Sequence, residues 1–264
     1  MLNVKNSFFN EIRAKIVLFS AHVEFAGFPI KMPDLRERGV LSMMEDKFHL
    51  TKDQNRRYAR SNLVRLVYVN SRFEGVNTTL WQTQAIIDGL DVDGVSIDDI
   101  NVIVQLKQAW QYVINADRPM DLAFLKSINK LVALHDALEP GELRTGNGAV
   151  NTELGEYVPD DVILPKEEEF ITALVHDSHK STTDKALTLM YHLMRSQIFW
   201  DGNKRTATLA ANKLMIDGGA GIINVPLDKW PKWNELISRY YFSNDMTAIK
   251  KWTYQNGMWE RTCL

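Results

Sequence analysis

Residues Ala207, Ala210, Ala211, Leu214 and Met215 recur at i, i+3, i+4, i+7 and i+8. That spacing lines one face of an α-helix, and its small side chains let a neighbour approach closely. The same period returns along most of the chain. Residues 53–74 carry Leu63, Leu66, Val67 and Phe73, with Gly75 placed to end the helix. A short helix is expected over 79–88. A third opens at the capping sequence SIDD (96–99) and runs to about Ala116, before Asp117, Arg118 and Pro119. Further helices are expected over 120–137, 166–178, 182–198 and, in the Trp- and Tyr-rich tail, twice over 229–258. Only residues 140–161, PGELRTGNGAVNTELGEYVPDD, change character. Four glycines and two prolines there flank short extended pieces at Val150 and Tyr157-Val158, the signature of a β-hairpin.

The 264 residues are 45% apolar and 24% charged, as in globular proteins. Thirty-one basic residues face 33 acidic ones, a net charge of −2, so no general positive field exists to hold nucleic acid. The one cysteine, Cys263, forms no internal disulfide and builds no thiolate zinc site. No apolar run approaches the ~18 residues of a membrane span. The N-terminus, with only Ile16–Ala21 apolar, reads as an amphipathic helix and not a signal peptide, and a cytoplasmic location is expected.

Chemistry concentrates in Gln197-Ile198-Phe199-Trp200-Asp201-Gly202-Asn203-Lys204-Arg205-Thr206-Ala207. One helix ends near Phe199 and another starts near Asn203. The first amides of the second helix lack backbone acceptors and carry the positive end of its dipole, an anion site in waiting. Lys204 and Arg205 add two cations, which oppose that dipole until an anion joins them. Asp201 offers a hard carboxylate for magnesium. The alternative is a plain joint between two helices, with Asp201 as N-cap and two solvated cations.

FxDGNKRTA between two helices resembles the signature of the Fic/Doc (Fido) family, HxFx(D/E)GN(G/K)R. GELRTGNGAV…YVPDD is similar to the family's β-hairpin flap, and Asn70-Ser71-Arg72-Phe73-Glu74-Gly75 resembles its inhibitory motif, (S/T)xxxE(G/N). The resemblance covers about residues 50–220. It implies an all-α, Fido-like helical bundle with a β-hairpin flap: a core over 51–220 between an N-terminal helical extension (1–50) and a packed C-terminal helical segment (221–264). It further implies transfer of AMP from ATP, with Mg2+, to a hydroxyl of a target protein. Asp201 would hold the metal, Gly202, Asn203 and Lys204 the phosphates, and Arg205 the charge of the attacked phosphoryl group. Arg144, Thr145, Gly146, Asn147 and Val150 would dock the target by strand addition, and Glu74 would be inhibitory. No direct nucleic-acid or membrane partner is expected, and self-association stays open.

Three departures accompany the resemblance. The histidine position is Gln197, and a neutral amide takes up no proton near neutral pH. His192, five residues earlier, lies about 140° around and ~7.5 Å along a helix, so it is read as a satisfied helix-side histidine. The family's final arginine falls at Thr208, leaving Arg205 as the replacement partner for Glu74. Lys204 stands where glycine is common, as in the Doc kinase branch, so phosphoryl transfer and an inactive nucleotide-binding scaffold remain alternatives. Outside this region, His176 and His179 are read as a solvated helix end, and Trp230, Trp233, Tyr240, Tyr241, Trp252 and Trp259 as packing residues, not a base-stacking surface.

Overall fold

Helix α1 (Lys52–Ser61) begins with a reciprocal cap. Thr51 Oγ1 accepts from the Gln54 amide at 3.2 Å, and Gln54 Oε1 accepts from the Thr51 amide at 2.8 Å. The chain is a computed structural model that describes residues 44–259; the expected extension (1–50) falls mostly outside them, as does Cys263. The single helix expected over 53–74 is broken at Asn62, whose side-chain amide donates to the Tyr58 carbonyl at 2.9 Å. This local bond competes with the helical ladder. Helix α2 (Leu63–Ser71) follows and tightens into a 3-10 turn, Arg72–Glu74, ended by Gly75 at φ +73°. Arg72 then gathers the next loop, donating to Asn77 Oδ1 at 2.9 Å and to the carbonyls of Val76 and Thr78.

Helix α3 is Leu80–Ile87 and α4 is Ile97–Asn115, capped by Ser96 as its sequence foretold. Helix α5 runs Leu122–Val132, shorter than expected, because the chain turns at Ala133. Strands β1 (Val150–Thr152) and β2 (Gly155–Tyr157) form the hairpin in antiparallel register, Val150 opposite Tyr157. Helices α6 (Leu164–His176), α7 (Thr182–Ser196) and α8 (Asn203–Asp217) follow. Helices α9 (Trp230–Ser243) and α10 (Thr247–Asn256) complete the bundle. A second short antiparallel pair, β3 (Ile222–Ile223) with β4 (Met258–Trp259), has no counterpart in the sequence reading.

Helix α8 is the axis of this arrangement. It packs on α7, α5, α4 and α1, so nearly all of its faces are buried, where its spacing alone indicates one. Its polar residues are therefore paired. Asn212 exchanges two 2.9 Å bonds with the backbone of Ile223, and buried Lys213 reaches the Ala116 carbonyl at 2.9 Å and Asp217 at 2.6 Å. Around it Leu66, Ile103, Trp110, Phe124 and Tyr191 are fully buried, each apolar side chain contributing about 1.5–3 kcal/mol.

The segment before α1 is tied to the turn after α8: the Leu50 amide donates to the Gly219 carbonyl at 2.8 Å. Gly219 sits at φ +69°, and a Cβ there would lie 1.8 Å from the Leu50 carbonyl oxygen. Gly219→Ala is expected to remove about 3 kcal/mol of stability, read as a lower urea midpoint. An unchanged midpoint would mean that the two segments do not meet.

Candidate active site

Helix α7 ends at Gln197, which adopts the left-handed conformation (φ 48°, ψ 51°). Its side-chain amide donates to the Met194 carbonyl at 2.6 Å, satisfying one of the open carbonyls at the helix end. The chain then bends through Phe199 to Gly202, also left-handed at φ 70°, and enters α8. Gly202 has to be glycine for space as well: a Cβ would lie 3.0 Å from Ala133 Cβ.

Asn203 holds the bend closed. Its Oδ1 accepts from the Phe199 amide at 3.0 Å and its Nδ2 donates to the Phe199 carbonyl at 2.9 Å. The side chain expected to meet phosphate is thus buried and engaged with the turn. No side chain caps α8, so its first-turn amides remain open for an anion. Asn129, fully buried on α5, also braces the bend. It donates to the Asp201 carbonyl at 2.8 Å and to Thr206 Oγ1 at 3.1 Å, and accepts from the Gly141 amide at 2.9 Å.

Arg205 is fully buried. Its Nη atoms bind Asp136 Oδ2, both at 3.0 Å, and Nη1 also donates to the Val132 carbonyl. Its Nε lies 2.7 Å from Glu74 Oε1, an ion pair without hydrogen-bond alignment, and its Nη2 lies 3.5 Å from Asp201 Oδ1. Arg205, expected to meet the attacked phosphoryl group, is thus already surrounded by three carboxylates. The pairing of Glu74 with Arg205, which the loss of arginine at position 208 suggested, is present. Thr208 instead turns back on its own helix, donating to the Lys204 carbonyl at 2.9 Å. Asp136 was missed because the apolar pattern ran a helix through it.

Burial raises the pKa of Glu74 above its ordinary 4.5, with Arg205 pulling the other way and Asp201 and Asp136 adding to the rise. Burial lowers the pKa of Lys204, opposed by the charge of Glu74. Lys204 lines a cleft of about 370 Å3 with Asn151, Thr152 and Glu153 of the hairpin and Asn234, Ile237, Ser238 and Tyr241 of α9. That volume suits a small ligand. The Tyr241 hydroxyl is buried beside the Gln197 side chain, and burial pushes its phenol up. Of the α9 residues in this wall, Tyr241 was read from the sequence as a packing residue, and Asn234, Ile237 and Ser238 were not singled out.

Hairpin residues Thr145 and Asn147 are exposed, and Gly146 and Val150 are half-buried. Arg144 is not available for docking. It is 4% exposed and donates to the carbonyls of Gln197 (2.6 Å), Gly146 (2.8 Å) and Asp160, with Ser196 at 3.5 Å. Tyr157 stacks on Tyr241 with centroids 5.2 Å apart, holding the hairpin over α9.

Among the described residues no group of three or more His, Cys, Asp or Glu side chains is placed to hold a metal. Magnesium asks less, because one or two carboxylates and substrate phosphates suffice. Asp201 fits that part: its side chain is 46% exposed, and Oδ1 accepts from the Gly202 amide. His176 is engaged with the Thr172 carbonyl at 2.8 Å, and His192 pairs with Glu167 at 2.8 Å beneath Phe170. Asn70 is buried, with Oδ1 accepting from Trp110 Nε1 at 3.2 Å. No helix among the described residues is long and apolar enough to cross a membrane.

Residues 119–215 match the family model described as Fic/DOC family. The chain is 27% identical over 216 residues to the protein adenylyltransferase Fic of Drosophila virilis, covering 77% of this chain and 44% of that one. The protein of the same name in Drosophila melanogaster is 28% identical over 197 residues, with 72% and 39% covered. The chain thus spans less than half the length of these curated relatives. Among solved structures, Fic-1 of C. elegans superposes with a TM-score of 0.65 at 20% identity, covering 76% of this chain and 62% of that one. A Fic family protein from Desulfovibrio desulfuricans G20 gives 0.64 at 17% identity, covering 75% and 63%. The fold is theirs.

Proposed function

We propose that this chain, whose residues 119–215 match the Fic/DOC family model, transfers the adenylyl group of ATP to a hydroxyl of a target protein. The observation that carries the reading is the uncapped N-terminus of α8, with Lys204 facing a cleft whose opposite wall is the hairpin. The open amides and Lys204 take the phosphates, and the nucleoside lies along Asn234, Ser238 and Tyr241. Asp201 holds Mg2+, which when bound neutralises phosphate charge. The hairpin pairs with an extended segment of the target through main-chain bonds and brings its hydroxyl to the α-phosphate, where the new P–O bond forms as the bond to pyrophosphate breaks and the hydroxyl proton passes to water. Such a reaction is mostly positioning and charge stabilisation. Arg205, tied to Asp136 and Glu74, shapes the turn more than it meets the substrate. Gln197 takes no proton, so transfer by this chain is slow.

Lys204 and Thr208 favour a second reading, phosphoryl transfer, because they follow the Doc pattern. Incubation with Mg2+, protein substrates and ATP radiolabelled at the α or the γ phosphate separates the two. Label from the α position is the expected result, and label from γ alone would replace adenylyl by phosphoryl transfer. Absence of both labels, with ATP still bound, would leave a nucleotide-binding scaffold.

A further inference from the structure

The stem of the hairpin is joined to the turn that carries residue 197. Leu143 makes an isolated antiparallel bridge with Phe199, and the Arg144 amide donates to the Ile198 carbonyl at 3.0 Å. The Arg144 side chain then passes beneath the stem. Its Nε reaches the Gln197 carbonyl, Nη1 the Gly146 carbonyl, and Nη2 those of Asp160 and, more distantly, Ser196. Gly146 and Asp160 lie on opposite sides of the hairpin, while Ser196 and Gln197 close α7.

A buried guanidinium usually faces a carboxylate; this one faces carbonyls. Those of Ser196 and Gln197 lie at the negative end of the α7 dipole, which compensates its charge. The task also uses the shape of arginine. Three acceptor directions diverge from one plane, matching the rigid fork of N–H donors, whereas a lysine ammonium is a single point on a flexible stem.

We propose that Arg144 is a positioning residue that fixes both ends of the hairpin to the carbonyl of residue 197, holding the docked hydroxyl at one distance from α8. Arg144 touches neither the residues that line the cleft nor those of the turn at 201–205, so it acts through the hairpin and the backbone of residue 197. Its effect on transfer rests on the adenylyl-transfer reading; its effect on the hairpin does not. A misplacement of 1 Å at a reacting centre costs on the order of 10²-fold in rate.

The test compares Arg144→Ala and Arg144→Lys, each in the native chain and with Gln197→His. Amide hydrogen exchange over residues 145–160 is expected to accelerate at least ~10-fold in both substitutions, while that of α7 and α8 stays unchanged. ATP affinity by calorimetry is expected to hold, while the transfer rate in the Gln197→His chain falls about 10²-fold. Free guanidinium is expected to restore part of the rate to Arg144→Ala and none to Arg144→Lys. Unchanged exchange over 145–160 would overturn the proposal, as would loss of ATP affinity in step with rate, the mark of a general structural defect. Should Arg144→Ala fail to fold, Arg144→Lys carries the same comparison. If the Gln197→His chain transfers nothing, the functional reading falls, and the exchange data still decide whether Arg144 ties the hairpin.

Discussion

Gln197→His is expected to raise adenylyl transfer by at least ~10²-fold. A positioned general base contributes about 10²–10⁴-fold, roughly 3–5 kcal/mol of barrier, and the native amide contributes none of it. The backbone favours the change. Residue 197 sits at φ 48°, a region in which histidine is among the better tolerated side chains. The bond lost, from Gln197 Nε2 to the Met194 carbonyl, is worth about 1 kcal/mol. The buried Tyr241 hydroxyl lies beside residue 197, placed to orient an imidazole there. The gain should appear as pH rises through the histidine range, about 6.5, because the neutral ring is the base. An unchanged rate, or one indifferent to pH, would mean that the proton leaves elsewhere.

Glu74→Gly is the second large effect expected. The carboxylate of Glu74 stands 2.7 Å from Arg205 and within electrostatic reach of Lys204, beside the amides proposed to take phosphate. Like charges brought together cost several kcal/mol, so removing this one should tighten ATP binding by roughly 10²-fold and raise transfer in the Gln197→His chain. Titration offers a milder version. The pKa of Glu74 is raised above 4.5 in the folded chain, so the folded state holds that proton more tightly than the unfolded one. The resulting stability is present below the unfolded value and is lost as pH rises through the raised one. Acidification through that range neutralises Glu74 and should tighten ATP binding in the native chain. Glu74→Gln should abolish the trend. Equal affinities for the native and Glu74→Gly chains would remove residue 74 from any gating role.

The helical bundle was legible because its periodicity is repeated and one cap, Ser96, is explicit; Thr51 and Asp121, which cap α1 and α5, were not read as caps. The break at Asn62 was not, since a side chain bonding its own backbone leaves the apolar stripe intact. The turn at 201–205 could be read from its residue types, and so could the pairing of Glu74 with Arg205. What those residues do with their side chains is not legible in the sequence alone. Asn203, Arg205 and Arg144 look like ligand-binding groups in a list of residues. In the structure all three are buried, and burial depends on partners from remote segments: Asp136 for Arg205, and Asp160 and Gln197 for Arg144. Asn129 lies inside an apolar helical pattern, and nothing local marks it as the brace of a loop 72 residues later.

Asn203 mimics a stretch of backbone, answering both the N–H and the C=O of Phe199. Aspartate would keep the acceptor and lose the donor, while glutamine would overreach. The turn proposed to take the phosphates is accordingly held in place before any nucleotide arrives, so the proposed binding would incur little ordering entropy there. Association at that turn should run near the ordinary encounter rate, and the slow event in nucleotide exchange would be the departure and return of residue 74.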